Sequence, residues 1–313
     1  MKNTHSSSKR LESLDALRGF DLFFLVALGP LMHSLARTAN VEWLNESMWV
    51  FSHVSWEGFS PWDLIMPLFL FMSGISMPFS LSRYKSISDK RPLLRRLAKR
   101  ILLLWIFGMM CQGNLLALDP NTIYLYSNTL QAIATGYLIT ALLFLFTSRR
   151  TQIITAVVLL LVYWTAMQFI TVDGYGGGNY TPQGNLAEWI DNTVLGRFRD
   201  TAQVIDGKVV VADWYHYTWI LSSLNFGVTV LTGLFAGYIA KDKIEEKKIL
   251  KLYFGTGITM VIAGWLWNFQ MPVIKTIWTC SMVLGSSGYC FLLLGLFYYW
   301  IDFIGHRSGI TWL

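Results

Sequence analysis

The sequence predicts an all-α protein of the polytopic integral membrane class: one helical bundle of about eight transmembrane helices, with both termini cytoplasmic. Three observations carry this. Hydrophobic residues make up 54% of the 313-residue chain, charged residues 14%, and mean hydropathy is +0.44, whereas a soluble domain carries about 25% charged residues. The apolar residues gather in runs near the roughly 20 residues a helix needs to cross a bilayer. The basic residues are segregated: 20 of the 25 Lys and Arg fall in the N-terminus, 83–100, Arg149–Arg150, 241–251 and the C-terminus. Basic segments mark the cytoplasmic face.

The elements follow in order. Residues 1–10 are polar and read as a flexible cytoplasmic tail. The first span, Phe20–Ala36, lacks a small-residue cleavage site and reads as an uncleaved helix. An outer loop, 37–61, carries Trp43, Trp49 and Trp56, suited to the membrane interface. The second span, Trp62–Leu81, contains Pro67, Gly74 and Pro78, which membrane helices tolerate. The basic linker 83–100 leads to spans at Ile101–Leu118, Asn128–Phe146 and Gln152–Val172. Residues 173–216 form the longest outer segment, glycine-rich at Gly174 and Gly176–Gly178; loops this long usually have a function. Spans at Tyr217–Ala240, Leu252–Phe269 and Ile277–Ile301 complete one domain over 1–313. No internal repeat is evident.

This placement assigns the net charge of +6 to topology and lipid headgroups, and no nucleic acid partner is expected. Cys111, Cys280 and Cys290 all fall within spans. They form neither a disulfide framework nor a metal spacing and read as small apolar fillers, so no metal is expected.

The segment 49–82 is the most informative. His53 precedes the second span and Asp63 opens it, placing an imidazole and a carboxylate together at a membrane surface. Ionisable groups there are functional candidates by default. Acyl transfer needs a base near neutrality, which histidine supplies. Asp63 can orient the ring, as in hydrolase triads, and can also cap the second helix. Asp15 and Arg18 share a helix face and suggest a local ion pair. Asp21 lies deeper in the apolar region and needs a partner. His33, near the outer end of the first span, is a second candidate base. Asn128, Gln131, Asn225, Trp265, Asn268, Lys275, Trp278 and Thr279 join helices or line a cavity. The basic linker can hold phosphates, although topology alone explains it. The glycine cluster lacks the lysine of a phosphate loop.

Taken together, LDALRGFD, HVSWEGFSPWDLIMPLFLFMSGISMPFS, SNTLQAIATGYL, GYGGGNYTPQGNLAEWID and GWLWNFQMPVIKTIWTCSMVL, in this order from about residue 11 onward, resemble the heparan-α-glucosaminide N-acetyltransferase family and its bacterial relatives. The resemblance implies transfer of an acetyl group from cytosolic acetyl-CoA to the amino group of a terminal glucosamine on the far side. It implies His53 as the active histidine, in an H-x-S-W-x-G pattern, with Asp63 ten residues later. Two departures stand out. The animal enzyme has an asparagine eleven residues after the RG arginine, where this chain has Gly29, so that role falls elsewhere, with His33 the candidate. The family continues for two or three helices beyond the segment that ends here near Asp302, so the chain is expected to be short of them.

The expected site is therefore His53 and Asp63 as catalytic residues. Arg18, Asn128, Gln131 and Lys275 are expected at the acetyl-CoA donor, and His33, Trp56, Asn268 and Trp278 at the acceptor. An oxyanion donor among Asn128, Gln131 and Lys275 would contribute about 3 kcal/mol. Membrane lipid and an amino-sugar or glycan acceptor are the expected partners, and a homodimer is compatible with the chain. The resemblance places it in a bacterial inner membrane. Two other functions fit the polar cavity residues: a sugar or glycolipid transporter or flippase, and a non-catalytic membrane scaffold. Both would survive loss of His53.

Overall fold

A computed structural model describes residues 11–242 and 244–306; the tail expected at 1–10 lies outside the described residues. The chain runs up and down through long helices. The first, α1 (Glu12–Ala39), is followed by a short surface helix, α2 (Glu42–Ser47). Next come α3 (Pro61–Lys85), α4 (Arg91–Cys111), α5 (Thr129–Phe146) and α6 (Arg149–Phe169). A two-stranded hairpin, β1 (Thr171–Val172) with β2 (Tyr175–Gly176), precedes the short α7 (Leu186–Leu195), and a second follows it, β3 (Gln203–Ile205) with β4 (Lys208–Val210). The chain then returns through α8 (Ser222–Lys241), α9 (Glu246–Trp267) and α10 (Cys280–Phe303). Among the described residues, seven helices are long and apolar enough to cross a membrane. The 21-residue α4 is equally long, but Arg91, Arg95, Arg96, Lys99 and Arg100 occupy its first half.

Several boundaries differ from expectation: the first span starts at Glu12 rather than Phe20 and the seventh at Glu246 rather than Leu252, and two further differences have a backbone reason. The third span was expected over Ile101–Leu118, but α4 begins at Arg91 and stops at Cys111. Asn114 and Leu118 both adopt left-handed φ of 55°, which breaks the helix whatever the hydropathy of Leu115–Leu118. The sixth span was expected from Tyr217, but α8 begins at Ser222. Residues 219 and 220 instead give their N–H groups to the Asp191 carboxylate, at 2.7 and 3.0 Å.

The helices pack closely through small residues. A Cβ on Gly74 of α3 would lie 2.0 Å from the Val230 carbonyl oxygen, and one on Gly233 of α8 would lie 1.9 Å from that of Phe71. The two backbones therefore touch, as small residues allow where apolar burial gives no drive for association. One core cluster joins Tyr137, Phe144, Tyr163 and Leu231; a second joins Leu17, Phe71, Tyr253 and Phe291. Cys280 and Cys290 are buried, whereas Cys111, expected to be buried, is exposed at the end of α4.

The two ends of the bundle differ. At the basic end, Arg149 grips Asp242 with two hydrogen bonds of 2.7 and 2.8 Å, and Lys85 donates to the Thr147 carbonyl at 3.2 Å. The other end, here the far end, gathers α2, α7, both hairpins and the turn between α9 and α10.

Candidate active site

The segment 52–64 folds around one carboxylate. Pro61 starts α3, and Ser60 and Asp63 cap it reciprocally: Asp63 Oδ2 accepts from the Ser60 N–H at 3.0 Å and from its hydroxyl at 2.9 Å. The other oxygen, Oδ1, lies 2.7 Å from His53 Nδ1. Asp63 thus both caps the helix and orients the ring. An ionised carboxylate only accepts, which assigns the donated proton to Nδ1 and leaves the Nε2 lone pair as the base. The Asp63 side chain is 2% exposed and the His53 ring 45%, so the ring is open to an incoming group while its partner is sealed.

Lys275 completes the cluster from 222 residues away. Its Nζ lies 3.4 Å from Asp63 Oδ1, and 2.9 and 3.3 Å from the two ring nitrogens of His53. The turn between α9 and α10 holds it there. Asn268 Oδ1 accepts from the Val273 N–H at 2.7 Å, and Thr279 Oγ1 accepts from that of Ile274 at 3.1 Å. The Gly58 N–H reaches the Val273 carbonyl at 2.8 Å, locking this turn onto the His53 segment. Asn225 donates to the Trp278 carbonyl at 2.7 Å, and the buried Trp278 donates its indole N–H to Thr229. Burial lowers the pKa of Lys275, and the Asp63 charge pulls it back up.

His53 and Lys275 open into a cavity of about 670 Å³, within the roughly 300–1,000 Å³ of small-molecule sites. Its far-end wall includes Asp200, Trp214, Tyr215, Tyr217 and Trp219. Towards the membrane it descends along Leu22, Leu25, Met66 and Phe69, and none of the basic residues of 83–100 lines it. Trp62 also lines it, and its ring rests on Gly29, where a Cβ would come within 2.2 Å. The position expected to differ from the animal enzyme is therefore filled by an aromatic ring.

The outer wall stands on a buried ion pair. Arg199, fully buried, binds both oxygens of Glu188 at 2.7 Å and also donates to Asn192. Asp191 holds the backbone of 219–220. Together they fasten both ends of the loop 199–220 to α7. Arg199 counts among the five basic residues on the outer side, a placement that signals a partner without identifying it.

The structure brings together His53, Asp63, Lys275 and Asn128. Asn128 lines the cavity, but its side chain caps α5, accepting from Leu130 N–H and donating to the Gly108 carbonyl. The other expected residues lie elsewhere. Gln131 is buried behind Asn128 and returns its side chain to the 127 and 128 N–H groups. Arg18 sits towards the basic end of α1 beside Asp15, at 3.4 Å. His33 bonds the Gly29 carbonyl of its own helix at 3.1 Å. Trp56 donates to the Tyr180 carbonyl, and Asn268 and Trp278 support the Lys275 turn.

A family model described as heparan-alpha-glucosaminide N-acetyltransferase, catalytic, matches residues 10–176, more than half of the chain. The chain belongs to this family. It is 24% identical to the heparan-alpha-glucosaminide N-acetyltransferase of Mus musculus over 350 residues, covering 97% of this chain and 51% of that protein. It is 25% identical to that of Homo sapiens over 346 residues, covering 96% and 50%. The chain therefore spans about half the length of the curated relatives it matches. The family match includes His53 and Asp63 but ends before Arg199, the aromatic wall and Lys275.

Proposed function

We propose that this chain is the membrane-embedded catalytic part of an acyl-CoA-dependent N-acetyltransferase, with its basic end in the cytoplasm. In this reading it moves an acetyl group from cytosolic acetyl-CoA to the amino group of a glucosamine-type sugar at the far end. The observation that carries it is the His53–Asp63–Lys275 cluster, an oriented imidazole and a buried amine at the mouth of one cavity. The family relationship supports the reaction class.

The residues divide the work as follows. His53 Nε2 takes a proton from the acceptor amine as its nitrogen bonds to the thioester carbonyl carbon. Asp63 holds the ring and stabilises the imidazolium that forms. The Lys275 ammonium faces the negative charge that builds on the carbonyl oxygen. The C–S bond then breaks, and the imidazolium returns its proton to the departing thiolate. The apolar descent past Leu25, Met66 and Phe69 suits a slender pantetheine arm. Among the described residues Lys275 is the one lysine or arginine that lines the cavity, so the nucleotide end of the donor is assigned to the basic segments. The wide helical turn at Phe24–Leu28 of α1 contributes Leu25 to this descent.

The test is purified protein in detergent with radiolabelled acetyl-CoA and glucosamine. Labelled N-acetylglucosamine is the expected product. A preparation that binds acetyl-CoA but forms no acetylated sugar would refute the assignment, and movement of sugar across vesicles without acetyl-CoA consumption would favour a transporter.

A further inference from the structure

The wall opposite the catalytic cluster carries a carboxylate that the transfer chemistry does not use. Asp200 lines the same cavity as His53 and Lys275 and is only 6% exposed. Its neighbours hold it in place from both sides. Arg199 is pinned by Glu188 and Asn192. Thr201 takes a left-handed φ of 63°, uncommon for a β-branched residue. Its N–H bonds Asp200 Oδ1 at 2.8 Å, and its hydroxyl accepts from the Ala212 N–H at 3.3 Å. A backbone held in such a conformation by surrounding contacts is typical of binding and catalytic sites.

Beside Asp200 runs a series of touching rings. Trp214 meets Tyr215 edge-on at 5.9 Å, Tyr215 lies 5.8 Å from Tyr217, and Tyr217 stacks on Trp219 at 6.2 Å. All four line the cavity. The Tyr215 hydroxyl accepts from the Trp219 indole N–H at 3.0 Å, which fixes its ring in the wall, and Asp200, Tyr215 and Tyr217 line one cavity with His53 and Lys275. Asp200 and the rings thus face the same space as the catalytic cluster.

A flat aromatic surface next to an acceptor-only carboxylate complements a ring with an apolar face and a rim of hydroxyls. A cycloalkyl amine whose nitrogen is held at His53 would present no hydroxyl to this carboxylate, whereas an amino sugar presents several. We propose that Asp200, with Tyr215 and Tyr217, forms a pyranose-binding subsite that orients the acceptor amine towards His53. The subsite is defined by its sugar-binding chemistry, and only its role as the acceptor site rests on the acetyl-transfer reading. Asp200 is a specificity-determining residue here, and it takes no part in proton transfer.

The experiment is calorimetric titration of the purified protein, in a detergent without a sugar headgroup, with glucosamine and with cyclohexylamine. Wild-type protein should bind glucosamine at least tenfold more tightly. Asp200→Asn should weaken glucosamine binding about 10- to 100-fold, as expected for loss of a charge-assisted hydrogen bond, and leave cyclohexylamine unchanged. Equal glucosamine binding by a folded Asp200→Asn protein overturns the proposal, as does the absence of glucosamine binding by wild type. If Asp200→Asn shows no thermal transition, the wild-type comparison decides, because equal affinity for the two amines overturns it and preference for the sugar upholds it. Acetyl transfer is measured separately in the same preparation. Its absence beside intact, Asp200-dependent sugar binding would refute the reaction and leave the subsite standing.

Discussion

Asp63 is buried and the Lys275 side chain is only 12% exposed beside it, so removing either should cost more than removing both suggests. At the observed 3.4 Å, a pair of unit charges attracts by about 5 kcal/mol at an effective dielectric of ~20. Desolvation of the two groups offsets most of that, so the pair's net contribution is small, whereas stranding one partner typically costs about 3–5 kcal/mol. Here the two single losses are unequal. Asp63 without Lys275 still accepts from His53 and from both Ser60 donors, so Lys275→Met should cost only about 1–3 kcal/mol. Asp63→Asn leaves a buried amine whose pKa burial already lowers. Its cost is capped because the amine can shed its proton. In the double variant neither charge is stranded, and the coupling should be about 1–3 kcal/mol. The sign with pH follows. The native pKa of Lys275 lies below that of the unfolded chain, so between the two values the unfolded state binds the extra proton and stability rises with pH. Loss of Asp63 extends that window downward, so the deficit of Asp63→Asn should be largest above the roughly 3.9 of a free aspartate, where the wild-type carboxylate is ionised. It should shrink as the pH rises towards the roughly 10.4 of a free lysine. Thermal unfolding of the four proteins across this range reads both effects. Additive destabilisation with a pH-independent Asp63→Asn deficit would refute the coupled pair.

Three further outcomes are expected. Gly29→Ala places a methyl where the Trp62 ring lies, 2.2 Å from its edge; the ring must swing into the cavity, so acetyl transfer should fall at least tenfold with little change in thermal stability, and unchanged kinetics would contradict this placement. Arg199→Met strands Glu188 in the wall of the site and should destabilise by about 3–5 kcal/mol, with loop 199–220 gaining hydrogen exchange ahead of the helices. Asp21 Oδ2 is buried with no hydrogen-bond partner among the described residues, in an apolar cavity of about 760 Å³; Asp21→Leu should therefore raise the melting temperature, through a gain of about 1–3 kcal/mol.

The bundle was legible because membrane helices declare themselves by length and hydropathy. The exceptions share one cause. Hydropathy hides the first half of α4 behind its arginines, and it extends the same helix through Leu115–Leu118, where the left-handed residues Asn114 and Leu118 end it. His53 and Asp63 were legible as a pair because ten residues and one turn separate them. Lys275 stood out as a lone basic residue in an outer turn, but nothing local reveals that it meets a carboxylate more than 200 positions earlier. Asn128 and Gln131 carry the polarity of a site, yet their side chains are largely taken up by capping a helix. The aromatic wall and Asp200 were illegible for a different reason. Their position depends on Arg199 folding back onto Glu188, a tertiary contact within a loop that has no periodic pattern.

The most direct test of the proposed acyl-transfer centre is the single-turnover rate of labelled acetyl transfer to glucosamine by His53→Ala, measured beside its affinity for acetyl-CoA. General-base catalysis contributes about 10²- to 10⁴-fold, so the rate should fall by at least a hundredfold while donor affinity stays within a few-fold of wild type. A variant that transfers acetyl at the wild-type rate would show that His53 is not the base.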